Sequence, residues 1–143
     1  MSNRNLDPLL DCLLCFAQET LSKYDEFYPF AASMTGDASI QMEVVYEGDL
    51  NERPSAQRVI DLLIEAMRSA VGEGRIVAGG LCTNVRVKQP DGTASTDAVQ
   101  VHLEQKGGEP LDVFLPYEKI SAGEFRYGDL FALKSTERLF WRS

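Results

Sequence analysis

His102 and three cysteines are the residues of this chain whose types suit proton transfer, nucleophilic attack or metal ligation. His102 is the only histidine of 143 residues. It lies in a stretch, Asp97 to Lys106, that alternates apolar and polar side chains, the mark of a half-buried strand. Pro110 to Tyr117 alternates in the same way. Joining the two by the loop Lys106-Gly107-Gly108, with Gly108 in the left-handed conformation that a bulged turn needs, sets Leu103 opposite Leu111 and Val101 opposite Val113. His102 then faces Asp112, because residues directly opposite in an antiparallel pair share a side of the sheet. A carboxylate there orients one ring nitrogen and leaves the other for proton transfer. The competing reading is a cross-strand polar pair on a solvated sheet face, which does not exclude water and has no Ser or Cys clearly placed as a nucleophile.

The strand before this hairpin, within Arg75 to Lys88, completes a central three-strand run. Pairing Val87 with Val99 brings Asn84 beside His102 and Arg86 beside Gln100. Arg86, His102 and Asp112 then form a polar surface suited to binding a partner. Cys12 and Cys15 make a Cys-x-x-Cys pair, but no strand precedes it as redox chemistry at a helix N-terminus requires. The pair reads instead as two small buried hydrophobes. A zinc set of Cys12, Cys15, Cys82 and His102 has the right count. The pattern nevertheless splits it, with the helical pair against the apolar face and Cys82 and His102 on the polar face, so the expectation is no metal. No cofactor is expected either: Gly72-Glu73-Gly74 ends a helix and lacks the Lys and Ser or Thr of a phosphate loop. Gly79-Gly80 reads as a bulge or bend. Glu47, Asp49 and Glu118 are scattered and read as solvated.

Two helices and an earlier hairpin must position these groups. Asp7-Pro8 opens the first helix, Asp as cap and Pro at the first position. Leu10, Leu13, Leu14, Ala17, Leu21 and Tyr24 form its apolar stripe, and Pro29 requires it to stop. Phe27 to Met34 and the alternating run from Ile40 to Val45 form a hairpin around Thr35-Gly36-Asp37-Ala38. Glu47 to Arg53 is a polar loop. Pro54-Ser55 starts the second helix, whose face of Val59, Leu62, Leu63, Ala66, Met67 and Ala70 ends at Gly72 and Gly74. The tail, 123–143, is rich in aromatics without a clean period and reads as a strand, a wrapped coil, or both. The expected fold is one α+β domain over 1–143: a two-layer sandwich in which an antiparallel sheet of about five strands carries both helices on its apolar face.

That element order resembles roadblock-type and profilin-like domains. The stretches Phe27-Tyr28-Pro29-Phe30, Val113-Phe114-Leu115-Pro116-Tyr117 and Arg126-Tyr127-Gly128-Asp129 resemble a family of small uncharacterised bacterial proteins, a resemblance that implies a bacterial cytosolic protein acting by binding and transfers no catalytic residue. A net charge of −8 argues against nucleic acid, which is held by Lys and Arg patches, and against an anionic membrane surface. It suits a basic protein partner. The odd cysteine count and the absence of a basic-then-apolar start predict a reducing cytoplasm and no signal peptide. The expected function is protein binding or regulation, of the kind that neutralises a basic partner. A small enzyme using His102 and Asp112 is the alternative, and a homodimer through sheet edges a third expectation.

Overall fold

The computed structural model describes residues 6–44, 55–88, 92 and 94–141. Its elements run α1 (Asp7–Tyr24), β1 (Phe30–Met34), β2 (Ile40–Glu43), α2 (Ala56–Gly72), β3 (Ala78–Lys88), β4 (Ser95–Gln105), β5 (Leu111–Ser121), β6 (Glu124–Tyr127) and β7 (Phe131–Lys134). This is an α+β arrangement with an antiparallel sheet in the order β2-β1-β3-β4-β5-β6, and β7 also pairs with β5. The sheet has seven strands where the pattern suggests about five, because the aromatic tail supplies two. β6 pairs along Tyr117–Ser121 and β7 along Leu111–Phe114. The two therefore follow one another along the same edge of β5, and Gly128 bridges the break by donating its N–H to the carbonyl of Pro116 at 2.8 Å.

Helix α1 begins at Asp7, the residue expected to cap it. Leu6 takes the cap position, with Asp7 and Pro8 in the first turn, where an acid also favours the helix dipole. It ends at Asp25, which adopts the left-handed conformation (φ 62°). Helix α2 is capped by Ser55, whose hydroxyl accepts from the Arg58 N–H at 3.2 Å. The Val45 end of the second expected strand, Glu47, Asp49, the loop to Arg53, and Pro54 lie outside the described residues. In the β4–β5 turn the left-handed residue is Gly107 (φ 77°) rather than Gly108.

The helices do not share a face as expected. The residues Phe30, Ala32, Met34, Cys82, Val99, Val101, Val113 and Leu115 pack with α1. Ala31 and Leu81, one position out of phase, pack with α2 and with Phe140 of the tail. The physical cause lies in β1 and in the first half of β3, where Phe30–Met34 and Ala78–Cys82 are buried without alternation. A strand covered on both sides shows a continuous buried run. Small side chains make room for this: a Cβ on Gly80 would stand 2.5 Å from Leu13 Cδ1 of α1, and one on Gly79 would collide with Met67 of α2.

The β3–β4 register also differs from the expectation. Val87 pairs with Thr96 rather than Val99, and His102 is opposite Leu81 rather than Asn84. The difference of three residues is odd, so it reverses the faces. Arg86 and Cys82 therefore lie on the α1 side, away from His102. The observed register sets Val101 opposite the buried Cys82 and Leu103 opposite the buried Gly80, beneath α1.

The tight contact between Gly80 and α1 yields a prediction. Gly80→Val forces Leu13 and Leu103 apart, and overpacking of this kind costs about 1–3 kcal/mol. Urea denaturation should show a lower midpoint with an unchanged slope; a midpoint equal to wild type would contradict the packing described.

Candidate functional site

The β4–β5 register places His102 opposite Asp112, with Leu103 opposite Leu111 and Val101 opposite Val113, as the apolar pattern requires. The expected pair is present: His102 Nδ1 lies 2.8 Å from Asp112 Oδ1. The surroundings differ from an open, wet face. His102 is only 5% exposed, because the chain after β7 turns back across the sheet and covers it. Phe140 is buried with its ring edge-on to the imidazole, centroids 5.9 Å apart.

A second carboxylate completes the cluster. Glu104 is two residues along β4 from His102 and therefore on the same face. Its Oε2 lies 2.7 Å from His102 Nε2. At 1% exposure it is more deeply buried than the histidine. The same carboxylate accepts the backbone N–H groups of three consecutive residues, Leu139, Phe140 and Trp141, the last at 3.0 Å. Gly79 is the residue opposite Glu104 on β3. A Cβ there would collide with Met67 of α2 and touch the Phe140 ring at 3.4 Å, so the bare position lets α2 pack closely where the tail lies. Arg68 of α2 fastens the other side, donating from Nε to the Leu139 carbonyl at 2.6 Å. Arg138 donates to the Gly108 carbonyl at 2.9 Å.

With an acceptor on each ring nitrogen, His102 satisfies both partners only as the doubly protonated imidazolium. Burial alone would lower its pKa. The hydrogen bonds and charges of Asp112 and Glu104 outweigh that and raise it to about 9. Burial pushes Glu104 upward, but the His102 bond and the three backbone N–H groups hold it below the ordinary carboxylate value. Asp112 is likewise lowered against its burial, by His102 and by hydrogen bonds from Gln100 and Ser135. The cluster is a buried cation between two anions. Its geometry leaves His102 no unoccupied nitrogen for general base or acid work.

The other sequence-derived candidates do not join it. Arg86 is on the opposite face, in an exposed pair with Asp97 at 3.2 Å. Cys82 is fully buried under α1, where burial raises its thiol pKa beyond reach of neutral pH. Cys12 is half-buried and Cys15 exposed, so the pair is not the two buried hydrophobes expected. The four-ligand zinc set is split across the sheet between Cys82 and His102. Among the described residues, no group of three or more His, Cys, Asp or Glu side chains is placed to hold a metal ion. Glu104 is the site residue that sequence reasoning missed. Its signal was the spacing of two along a strand, which puts Glu104 beside His102 whatever the register.

Both ends of the titration follow from these shifts. The raised native pKa of His102 means its stabilising contribution is complete below the unfolded value of roughly 6.5. That contribution is lost as pH rises through about 9. The lowered carboxylates contribute above their ordinary values of roughly 4 and lose that contribution as pH falls through their native ones. Urea midpoints should therefore be highest near pH 5–6 as far as this cluster decides them. They should fall between pH 7 and 9 in wild type but not in His102→Gln; parallel profiles would refute the imidazolium assignment. Glu104→Ala leaves a buried cation one partner short and frees three N–H groups. It should cost about 3–5 kcal/mol, the scale for breaking a buried pair, read from the same denaturation curves.

Comparison with protein-family models, with curated proteins and with solved structures finds no match for this chain, and the arrangement of its own residues carries the functional argument.

Proposed function

We propose that this protein acts by binding another protein through the open part of the sheet face that also carries His102. The observation that carries this reading is the complete engagement of the imidazole. The chemically capable group is spent on fastening the tail, and what the same face offers to solvent is a recognition surface.

That surface lies beyond the tail, toward β6 and β7. A groove of about 480 Å³ is lined by Thr96, Pro116, Glu118, Arg126, Leu130 and Phe131, among others. Leu130 and Leu133 are more than half exposed, and large exposed apolar side chains grouped near a polar rim mark interaction sites. Phe131 is held in place by stacking on Phe114, centroids 5.1 Å apart. Asp129 lines the same groove, as do Glu118 and the Arg126 opposite it. With the net charge of −8, this favours a partner presenting an apolar group framed by Lys or Arg.

Two observations bear on the other expectations. No described helix is long and apolar enough to cross a membrane. The strands at the described edges, β2, β6 and β7, have four residues each, and short edge strands discourage edge-to-edge pairing. The His102–Asp112 enzyme requires a ring nitrogen that Glu104 does not claim.

The test is a pull-down at endogenous level with mass-spectrometric identification, using wild type and a Leu130→Glu, Leu133→Glu double variant. Wild type should retain one stoichiometric basic protein, and the double variant should lose it without a change in thermal unfolding. Capture of nothing by wild type, or equal capture by the variant, would overturn the reading. A nitrogen-15 spectrum showing one unprotonated ring nitrogen of His102 at pH 7 would restore the enzymatic alternative.

A further inference from the structure

The Cys-x-x-Cys pair of α1 has no part in the clamp or in the groove, and the fold brings a third sulfur to it. Met42 on β2 is half-buried on the α1 side of the sheet. The Cys12 thiol donates to the Met42 thioether at 3.6 Å. Cys15, three residues on, is exposed. Residues at this spacing are neighbours on a helix surface, about 5–6 Å apart at Cβ. Two sulfurs from two elements thus come together where α1 meets the sheet edge, and Cys15 lies one helical turn from the first of them.

We propose that Cys12, Cys15 and Met42 form a binding site for a soft monovalent metal ion, Cu(I) by chemical class. Thiolate and thioether ligands select such ions over the harder divalent ones. The observed spacing suits the role: two sulfurs 3.6 Å apart, each about 2.3 Å from a common ion, subtend roughly 100° at it. That angle is too small for a linear two-ligand site and leaves room for a third ligand. Cys15, exposed at the neighbouring position, is the side chain able to supply it. Zinc would demand a fourth ligand and prefers nitrogen, oxygen or thiolate donors to a thioether.

Binding is a substitution without electron transfer. Two thiol protons leave, two sulfur–metal bonds form in their place, and the neutral thioether adds a third. Because both thiols must lose a proton to bind, affinity rises with pH. The position suits an ion that must enter from solution, because the outermost ligand is exposed while the inner two are half-covered.

The experiment is an anaerobic titration of the full chain with Cu(I) in competition with a coloured Cu(I) chelator. Alongside it, Ag(I) is added to protein carrying ¹³C-methyl methionine. Wild type should take one ion per chain, and the Met42 methyl signal should shift while that of the buried Met67 stays in place. Cys12→Ser, Cys15→Ser and Met42→Leu should each weaken binding by at least the roughly tenfold that even an outer-shell change costs. Cys82→Ala, which alters a thiol outside the cluster, should bind as wild type. Failure of wild type to withdraw Cu(I) from the chelator would overturn the site. So would a Met42→Leu variant that binds as wild type, which would leave an ordinary thiol pair. Should Cys12→Ser not fold, the methyl shift in wild type decides.

Discussion

A positive charge buried between two negative ones governs much of this molecule. Once His102 is enclosed as an imidazolium, neither Asp112 nor Glu104 is expendable, since a buried charge without its partner is far costlier than one exposed. Asp112 fixes β4 against β5. Glu104 reaches the other way and fixes the tail. A single side chain thereby ties the register of the central hairpin to the path of the last residues of the described chain. The hydrogen bonds to Glu104 are of the charge-assisted kind, individually stronger than neutral ones. Their work is to hold Phe140 over Gly79 and close the apolar cluster beneath α2.

The second constraint is steric. Two helices can cross opposite sides of the same strands only where those strands carry little bulk. Ala31, Ala32 and Ser33 on β1 and Ala78, Gly79 and Gly80 on β3 meet that need at adjoining positions of the ladder. The sheet is consequently thin-walled at β1 and β3, helix-covered on both sides. Toward β6 and β7 the face opposite α1 is open, and there the exposed leucines collect. The division between the load-bearing half and the accessible half is drawn by where the small residues fall.

Much of this was legible in the sequence, and the parts that were not have identifiable causes. Strict alternation in Val99–Leu103 and Leu111–Leu115 gave the His102–Asp112 contact, because a period of two fixes the facing of both strands. The same logic misled at β3. Its outer half alternates, but its inner half, Ala78-Gly79-Gly80-Leu81-Cys82, does not, and that lapse is the signature of cover on both sides. Reading the glycines as a bend hid it, and the register slipped by an odd number, carrying Arg86 and Cys82 to the wrong face. Glu104 is invisible to cross-strand pairing because it is related to His102 along one strand and not across two. The tail was beyond reach for a different reason: its bonds run from main-chain N–H groups to a distant carboxylate, and main-chain groups leave no mark in residue identity.

That last point has a consequence for how this chain can vary. Glu104 recognises three successive peptide groups, and of the side chains above them only Phe140 is fully enclosed. The positions of Leu139 and Trp141 are thus constrained in number more than in kind. An insertion or deletion between Lys134 and Phe140 would displace the aromatic ring from its seat, and a proline at any of the three would remove a donor, whereas at the outer two, only partly buried against the α2 cluster, another apolar side chain keeps the peptide groups in reach. In relatives of this chain, the distance from the last strand to a buried aromatic would be a more faithful trace of the fold than any letter between them.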